Sequence, residues 1–330
     1  MLRSRRLRWW WVTTVGVLST AVLVASWVMW WRPSSELPPL VIATGGTGGV
    51  YHPYGEGIAE VAVHSSMPEA DVLDTAASIE NLRLVADGDA DLAFTLADAA
   101  ALAVQGADPY ESPLPMTAVA RPYDNRTHLV VRADLPVDSA SELTDYRVSV
   151  GAAGSGTEMV AERVLGLAGI DPAEDVERSQ LSVDSSAQAL ADDRIDAFFW
   201  SGGLPTRAVV DLAETIDIRL VDLTEHVPEL REEYGEVYTE ATVPSQTYPA
   251  VPEVRTIGVP NLLVVHEDMP EEQAYGITRL LFENRTRLAE AHHPVALQLN
   301  PRQAISTRPL DLHPGAARYY REEKEAHRTE

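Results

Sequence analysis

Two glycine and hydroxyl segments carry the chemistry this sequence offers. "ATGGTGGVYHPYG" (43–55) sets Gly46, Thr47 and Gly48 ahead of a helical pattern that starts near Tyr51, and "VGAAGSGTEMV" (150–160) sets Ser155, Gly156 and Thr157 ahead of another. Glycines let backbone N–H groups at a helix start approach an anion closely, and the helix dipole favours negative charge there. A phosphate, a nucleotide or a smaller anion would each suit such a loop.

Spacing removes several of these chemistries. A dinucleotide site needs a third glycine for close packing of helix on strand. Gly46 and Gly48 are followed by Tyr51, and Gly154 and Gly156 by Met159. A nucleotide P-loop needs a lysine after its last glycine, and neither segment has one. Ser155 sits where a nucleophile elbow would place its serine, but Ala153 stands where that turn needs glycine. The histidines form no HExxH pair, and adjacent His292 and His293 point apart on a helix. The residues thus indicate no catalytic group, no metal and no cofactor. What survives is binding of a small carboxylated solute by N–H groups and by the hydroxyls of Thr47, Ser155 and Thr157, each helix start contributing about 0.3–2 kcal/mol. The competing reading is that the glycines only make tight turns and the hydroxyls only cap helices.

The elements that position these loops recur. "LVIAT" (40–44) reads as a strand and Tyr51–Ser65 as a helix with Ile58, Val61 and Ala62 on one face, while "ADLAFT" (90–95), "MTAVA" (116–120) and "THLVVR" (127–132) read as further strands. The order strand, glycine loop, helix returns at 146–170. Each copy is followed by a helix, an acidic turn and a strand, "NLRLVADGDADLAFT" (81–95) and "AQALADDRIDAFFW" (187–200). The alternation predicts an α/β fold with a largely parallel sheet, and its duplication predicts two lobes. The stretches 121–136 and 254–270 are the expected crossovers, around which the lobes would hinge over a ligand cleft. The expected boundaries are 40–126 with 256–330 for lobe I and 127–255 for lobe II.

Composition limits the partners. The 330 residues carry a formal net charge of −24. Because residues 1–32 hold Arg3, Arg5, Arg6, Arg8 and Arg32 and no acid, the remainder is more acidic still. Such a surface repels nucleic acid and anionic lipid. The absence of cysteine excludes disulfides and lipid-modified cysteine. The uncharged run Trp9–Trp31 behind an arginine cluster is long enough for a transmembrane helix that leaves the rest of the chain outside. Its Trp27, Met29, Trp30 and Trp31 end predicts an uncleaved anchor over 1–32, joined by a proline and serine linker at 33–39.

Five ordered motifs, "ATGGTGGVYHPYG", "GDADLAFT", "VSVGAAGSGTE", "DAFFWSGGLPT" and "YGITRLLFEN", span about residues 40–300 and resemble the TAXI family of extracytoplasmic solute-binding proteins. These are receptor subunits of one class of TRAP (tripartite ATP-independent periplasmic) transporters. The resemblance implies a two-lobed type II periplasmic-binding-protein fold. It implies a non-catalytic, monomeric receptor for a dicarboxylate or an amino acid such as glutamate, delivering it to TRAP membrane permease subunits. It places ligand contacts at Gly46, Thr47, Gly48 and Tyr51, and at Ser155, Gly156 and Thr157. It adds the strand ends Thr95 with Asp98 and Trp200 with Ser201 and Gly202, and Tyr248 on the return path. Leu96 and Ala97 replace the polar glutamine and serine common in the family after "DLAF". Arg121, Arg126 and Arg207 are candidates for a bidentate carboxylate clamp, with Arg207, just past "GGLPT", the one chosen. A ligand-sensing domain for a signalling partner, or an enzyme on the same frame, are the alternative functions.

Overall fold

Apolar runs become strands where both faces can be covered, and amphipathic runs become the helices that cover them. A computed structural model describes residues 39–65, 67–291 and 294–329. The expected anchor at 1–32 and the linker up to residue 38 lie outside the described residues. No helix among those described is long and apolar enough to cross a membrane.

The chain runs through β1 (Leu40–Ala43), α1 (Tyr51–Val63), β2 (Ala70–Leu73), α2 (Ser78–Asp87), β3 (Leu92–Leu96), α3 (Ala97–Gln105) and β4 (Met116–Ala120). β5 (Asp124–Arg132) leads into β6 (Arg147–Ser149), α4 (Gly156–Leu167), β7 (Glu177–Ser179), α5 (Val183–Ala191), β8 (Ala197–Gly202), α6 (Arg207–Thr215), β9 (Ile218–Leu220), α7 (Val227–Tyr234) and β10 (Thr239–Val243). β11 (Val254–His266) returns, followed by α8 (Glu271–Glu283), α9 (Arg285–Ala291), α10 (Pro301–Ala304) and α11 (Pro314–Thr329).

The strands order as β2-β1-β3-β11-β4 in the first half and β7-β6-β8-β5-β9 in the second. Within β2-β1-β3 and β7-β6-β8 the pairing is parallel, the register running Leu40↔Ala70 and Ile42↔Leu92 in one and Arg147↔Glu177 and Val148↔Ala197 in the other. The expected parallel sheet is corrected where β11 and β5 enter antiparallel. A strand that leaves one half and joins the other necessarily enters from the opposite end.

β11 serves both halves. Its first residues pair with β10 and then, at Gly258–Pro260, with β5; from Asn261 onward it pairs with β3 and β4. Pro260 lies at the changeover, where the strand trades one ladder for another and a missing N–H costs least. β3 is buried along its whole length, as a strand covered on both faces should be.

Two apolar clusters fill each half. Tyr54, Phe94, Tyr123 and Leu281 belong to one in the first half, and Phe199, Val164 and Leu230 to one in the second. The halves also exchange residues: Leu96 of β3 packs in the second half's core, and Met159 of α4 packs with Ile79 and Ala99 of the first.

Candidate functional site

Where the two halves face each other, a cavity of about 90 Å³ is lined by the glycine loops, the β3 and β8 ends and the crossing β5. Four helix starts reach it: Val50 and Tyr51 of α1, Ala77 and Ser78 of α2, Ser155 and Gly156 of α4, and Ser182 and Val183 of α5. Helix starts carry unpaired N–H groups and partial positive charge. Ser155 and Ser182 cap their own helices, whereas α1 and α2 have no side-chain cap. Ala77 holds φ 82°, a left-handed conformation costing a residue with a Cβ about 1–3 kcal/mol. Its N–H donates to Thr75 Oγ1 at 2.9 Å, which fixes the bend at the cavity wall.

The walls are apolar and hydroxylic. Leu96, Leu181, Val183 and the Trp200 ring face Ser78, Tyr123, Asn125, Thr157 and Ser201. No charged side chain lines the cavity among the described residues. Ser201 N–H donates to Thr157 Oγ1 at 3.2 Å, leaving the Thr157 hydroxyl hydrogen available. Asn261 Nδ2 donates to Tyr51 Oη at 2.8 Å and to Asn125 Oδ1 at 3.1 Å, and Asn125 Nδ2 donates to the Ser201 carbonyl. This buried chain ties α1 to both crossing strands beneath the cavity. The Tyr51 ring stacks on Phe94 with centroids 5.0 Å apart.

The halves touch around the cavity at several points. Gly48 N–H donates to Asp184 Oδ2 at 2.8 Å, and a Cβ on Gly48 would lie 2.1 Å from that carboxylate. A Cβ on Gly156 would meet Leu96 Cδ1 and Ser78 Oγ at 2.7 Å. Farther out, Tyr238 Oη donates to Asp98 Oδ2 and accepts from Arg163 Nη1, both at 2.5 Å. Burial raises the Asp98 pKa, opposed by the Arg163 charge and the Tyr238 hydrogen bond.

Of the expected contacts, Gly46, Tyr51, Ser155, Gly156, Thr157, Trp200, Ser201 and Gly202 line the cavity. The others do not. Thr47 is exposed beside Gly46, and Gly48 is turned toward Asp184. Thr95 is buried in β3 with its hydroxyl 3.3 Å from the Leu96 carbonyl. Asp98 is consumed by Arg163 and Tyr238. Arg207 is 86% exposed and pairs with Asp211, so it clamps nothing in the cavity. Arg121 pairs with Asp124, and Arg126 donates to the Thr242 and Asp124 carbonyls. Tyr248 acts behind the wall: it accepts from Thr206 N–H at 3.3 Å, and Thr206 Oγ1 accepts from Trp200 Nε1 at 2.8 Å. The Tyr248 hydroxyl donates in turn to His128 Nε2, whose Nδ1 donates to the Arg126 carbonyl. Burial lowers the His128 pKa to about 4, so the ring is neutral near pH 7.

Sequence reasoning missed Tyr123, Asn125, Ser78 and Ser182. Tyr123 and Asn125 lie in the stretch read only as a crossover, and a strand passing beneath a cleft is a signal that its inward side chains belong to the floor. Ser182 opens "SVDSSAQALA", a recognisable N-cap before an apolar period.

Two α/β halves with matching strand orders, joined by two antiparallel strands under a shared cavity, have the type II periplasmic-binding-protein arrangement. The chain belongs to the NMT1-like family, whose model matches residues 42–323. Among solved structures, a protein of Bordetella bronchiseptica RB50 has a TM-score of 0.50 and 21% identity, over 86% of this chain and 89% of that one, a likeness of fold. The GluR0 ligand-binding core in complex with L-glutamate has a TM-score of 0.48 and 11% identity over 81% of this chain and 100% of its own. The periplasmic aliphatic sulphonate binding protein SsuA from Escherichia coli has a TM-score of 0.46 and 13% identity over 90% of this chain and 88% of its own.

Proposed function

We propose that this chain is an extracytoplasmic solute-binding protein of the TAXI kind. It captures a small carboxylated solute between two lobes and delivers it to TRAP membrane permease subunits, without catalysis and as a monomer. The observation that carries this reading is the convergence of four helix starts on one cavity whose walls, among the described residues, hold no charged side chain. The N–H groups of α1 and α2, which have no side-chain caps, are available to a carboxylate. Membership of the NMT1-like family is compatible with this reading. The lobes, 40–126 with 256–330 and 127–255, would close over the acid, the bound state being favoured by contacts from both sides. The N-terminal 32 residues would hold the receptor at the outer face of the membrane.

Uptake of radiolabelled acids by cells tests the transport role. Deletion of the chain should abolish uptake of one acid, and re-expression should restore it, with Thr157→Val restoring it poorly. Unchanged uptake accompanied by a lost transcriptional response to the same acid would refute transport in favour of sensing.

A further inference from the structure

Two buried hydroxyls at the cavity have no partner among the described residues. Ser201 is 6% exposed and Tyr123 fully buried, both line the cavity, and neither Ser201 Oγ nor Tyr123 Oη meets a hydrogen-bond partner among those residues. A buried hydroxyl without a partner loses about 1–3 kcal/mol, so such groups in a cavity wall mark places where a ligand oxygen belongs. Burial pushes the Tyr123 pKa well above its ordinary value, so its hydroxyl keeps the hydrogen it would donate.

The described lining carries no charge. The first turns of α2, α4 and α5 hold the acids Glu80, Glu158 and Asp184, of which Glu158 is paired with Arg178. Each carboxylate already accepts a backbone N–H, from Ala76, Gly154 and Gly48 respectively. Four helix starts with two free hydroxyl donors can stabilise one negative charge. A second would enter a space whose described lining offers no cation, with Glu80 and Asp184 in the first turns of α2 and α5, a large desolvation cost with no lining charge to offset it. An ammonium group fares no better, since no carboxylate among the described lining residues receives it.

Size adds a bound. About 90 Å³ is well below the roughly 300–1,000 Å³ of pockets that take drug-sized ligands, which suits a small acid.

We propose, resting on the solute-binding reading, that the cavity selects a short-chain monocarboxylate with an uncharged tail. Ser201, Tyr123 and the helix starts hold its carboxylate, and the site rejects dicarboxylates and glutamate. The tail, which can carry a keto or hydroxyl oxygen for Thr157 or Ser78, lies against Leu96, Leu181 and Trp200. This narrows the acids implied by the family resemblance, and it does so on charge.

Levulinate and succinate separate charge from shape, because levulinate is succinate with one carboxylate oxygen replaced by a methyl group. Titration calorimetry on the full chain should show levulinate binding at least about tenfold more tightly than succinate or L-glutamate. Ser201→Ala and Tyr123→Phe should each weaken levulinate by about tenfold, two variants being used so that misfolding of one leaves the other as the test. Succinate or glutamate binding as tightly as levulinate would overturn the charge rule and leave the receptor reading standing. Levulinate affinity unchanged in both variants would overturn the hydroxyl assignment. No binding of any of the three acids at millimolar concentration would overturn the receptor reading together with this one.

Discussion

Gly156→Ala separates closure around the cavity from stability of the fold. The added methyl would sit 2.7 Å from Leu96 Cδ1 and from Ser78 Oγ, where ordinary contact is 3.4–4 Å. Neither neighbour yields easily, since Leu96, carried by β3 of the first half, is 1% exposed within the second half's core and Ser78 Oγ accepts the Leu96 N–H at 3.1 Å. Gly156 has no left-handed φ, so alanine brings no backbone strain. Overpacking of this size costs about 1–3 kcal/mol. Because the methyl belongs to one half and its neighbours to the other, the cost falls on the closed form, which predicts levulinate binding weakened about 5- to 150-fold. Gly166 lies in the same helix with nothing within 4 Å of an added Cβ. Gly166→Ala should therefore leave affinity unchanged and raise stability by about 0.4–1 kcal/mol. Calorimetry paired with urea unfolding of both variants decides the matter. Equal affinity of Gly156→Ala and the parent protein would refute the idea that the halves must meet at this point to bind.

Asp184→Ala removes the charge-assisted bond from Gly48 N–H and should weaken levulinate about three- to tenfold with little change in unfolding midpoint; an unchanged affinity would show the contact to be incidental. Tyr238→Phe takes away the hydroxyl joining Asp98 and Arg163, and unfolding in urea should reveal a loss of about 1.5–3 kcal/mol, contradicted by a loss below about 0.5 kcal/mol. His128 has its pKa lowered by burial to about 4, from the ordinary 6.5. Its stability contribution is therefore complete above pH 6.5 and is lost as pH falls toward 4, reaching about 3 kcal/mol. His128→Asn should lower stability at pH 7 and flatten that dependence, whereas Asp98, whose folded pKa is raised, acts in the opposite sense and is common to both proteins. Parallel pH profiles for the parent and His128→Asn would refute the assignment.

The parts of the site legible in sequence were those with local causes. A glycine loop followed by an amphipathic period announces a helix start, and both Gly46 with Tyr51 and Ser155 with Gly156 reach the cavity. Local pattern does not decide which of two neighbours faces inward, so Thr47 points to solvent beside Gly46. Asp98 was illegible for a different reason: its partners are Arg163 and Tyr238, far along the chain, and only the folded contact between the halves brings them together. Arg207 has the charge expected of a carboxylate clamp, but its place at the start of α6 directs it outward to Asp211. Tyr123 and Asn125 required knowledge of which strand runs beneath the cavity. That follows from the strand order of both sheets, which no single segment encodes.

β11 is one continuous strand read by two sheets, so its residue count is a common ruler for the whole molecule. Shifting it by one residue would turn Ile257 and Val259 out of one core and Leu263 and Val265 out of the other in a single stroke. Length changes inside 254–266 are therefore paid for twice, whereas the turn at 244–253 just before it can absorb them in one half alone.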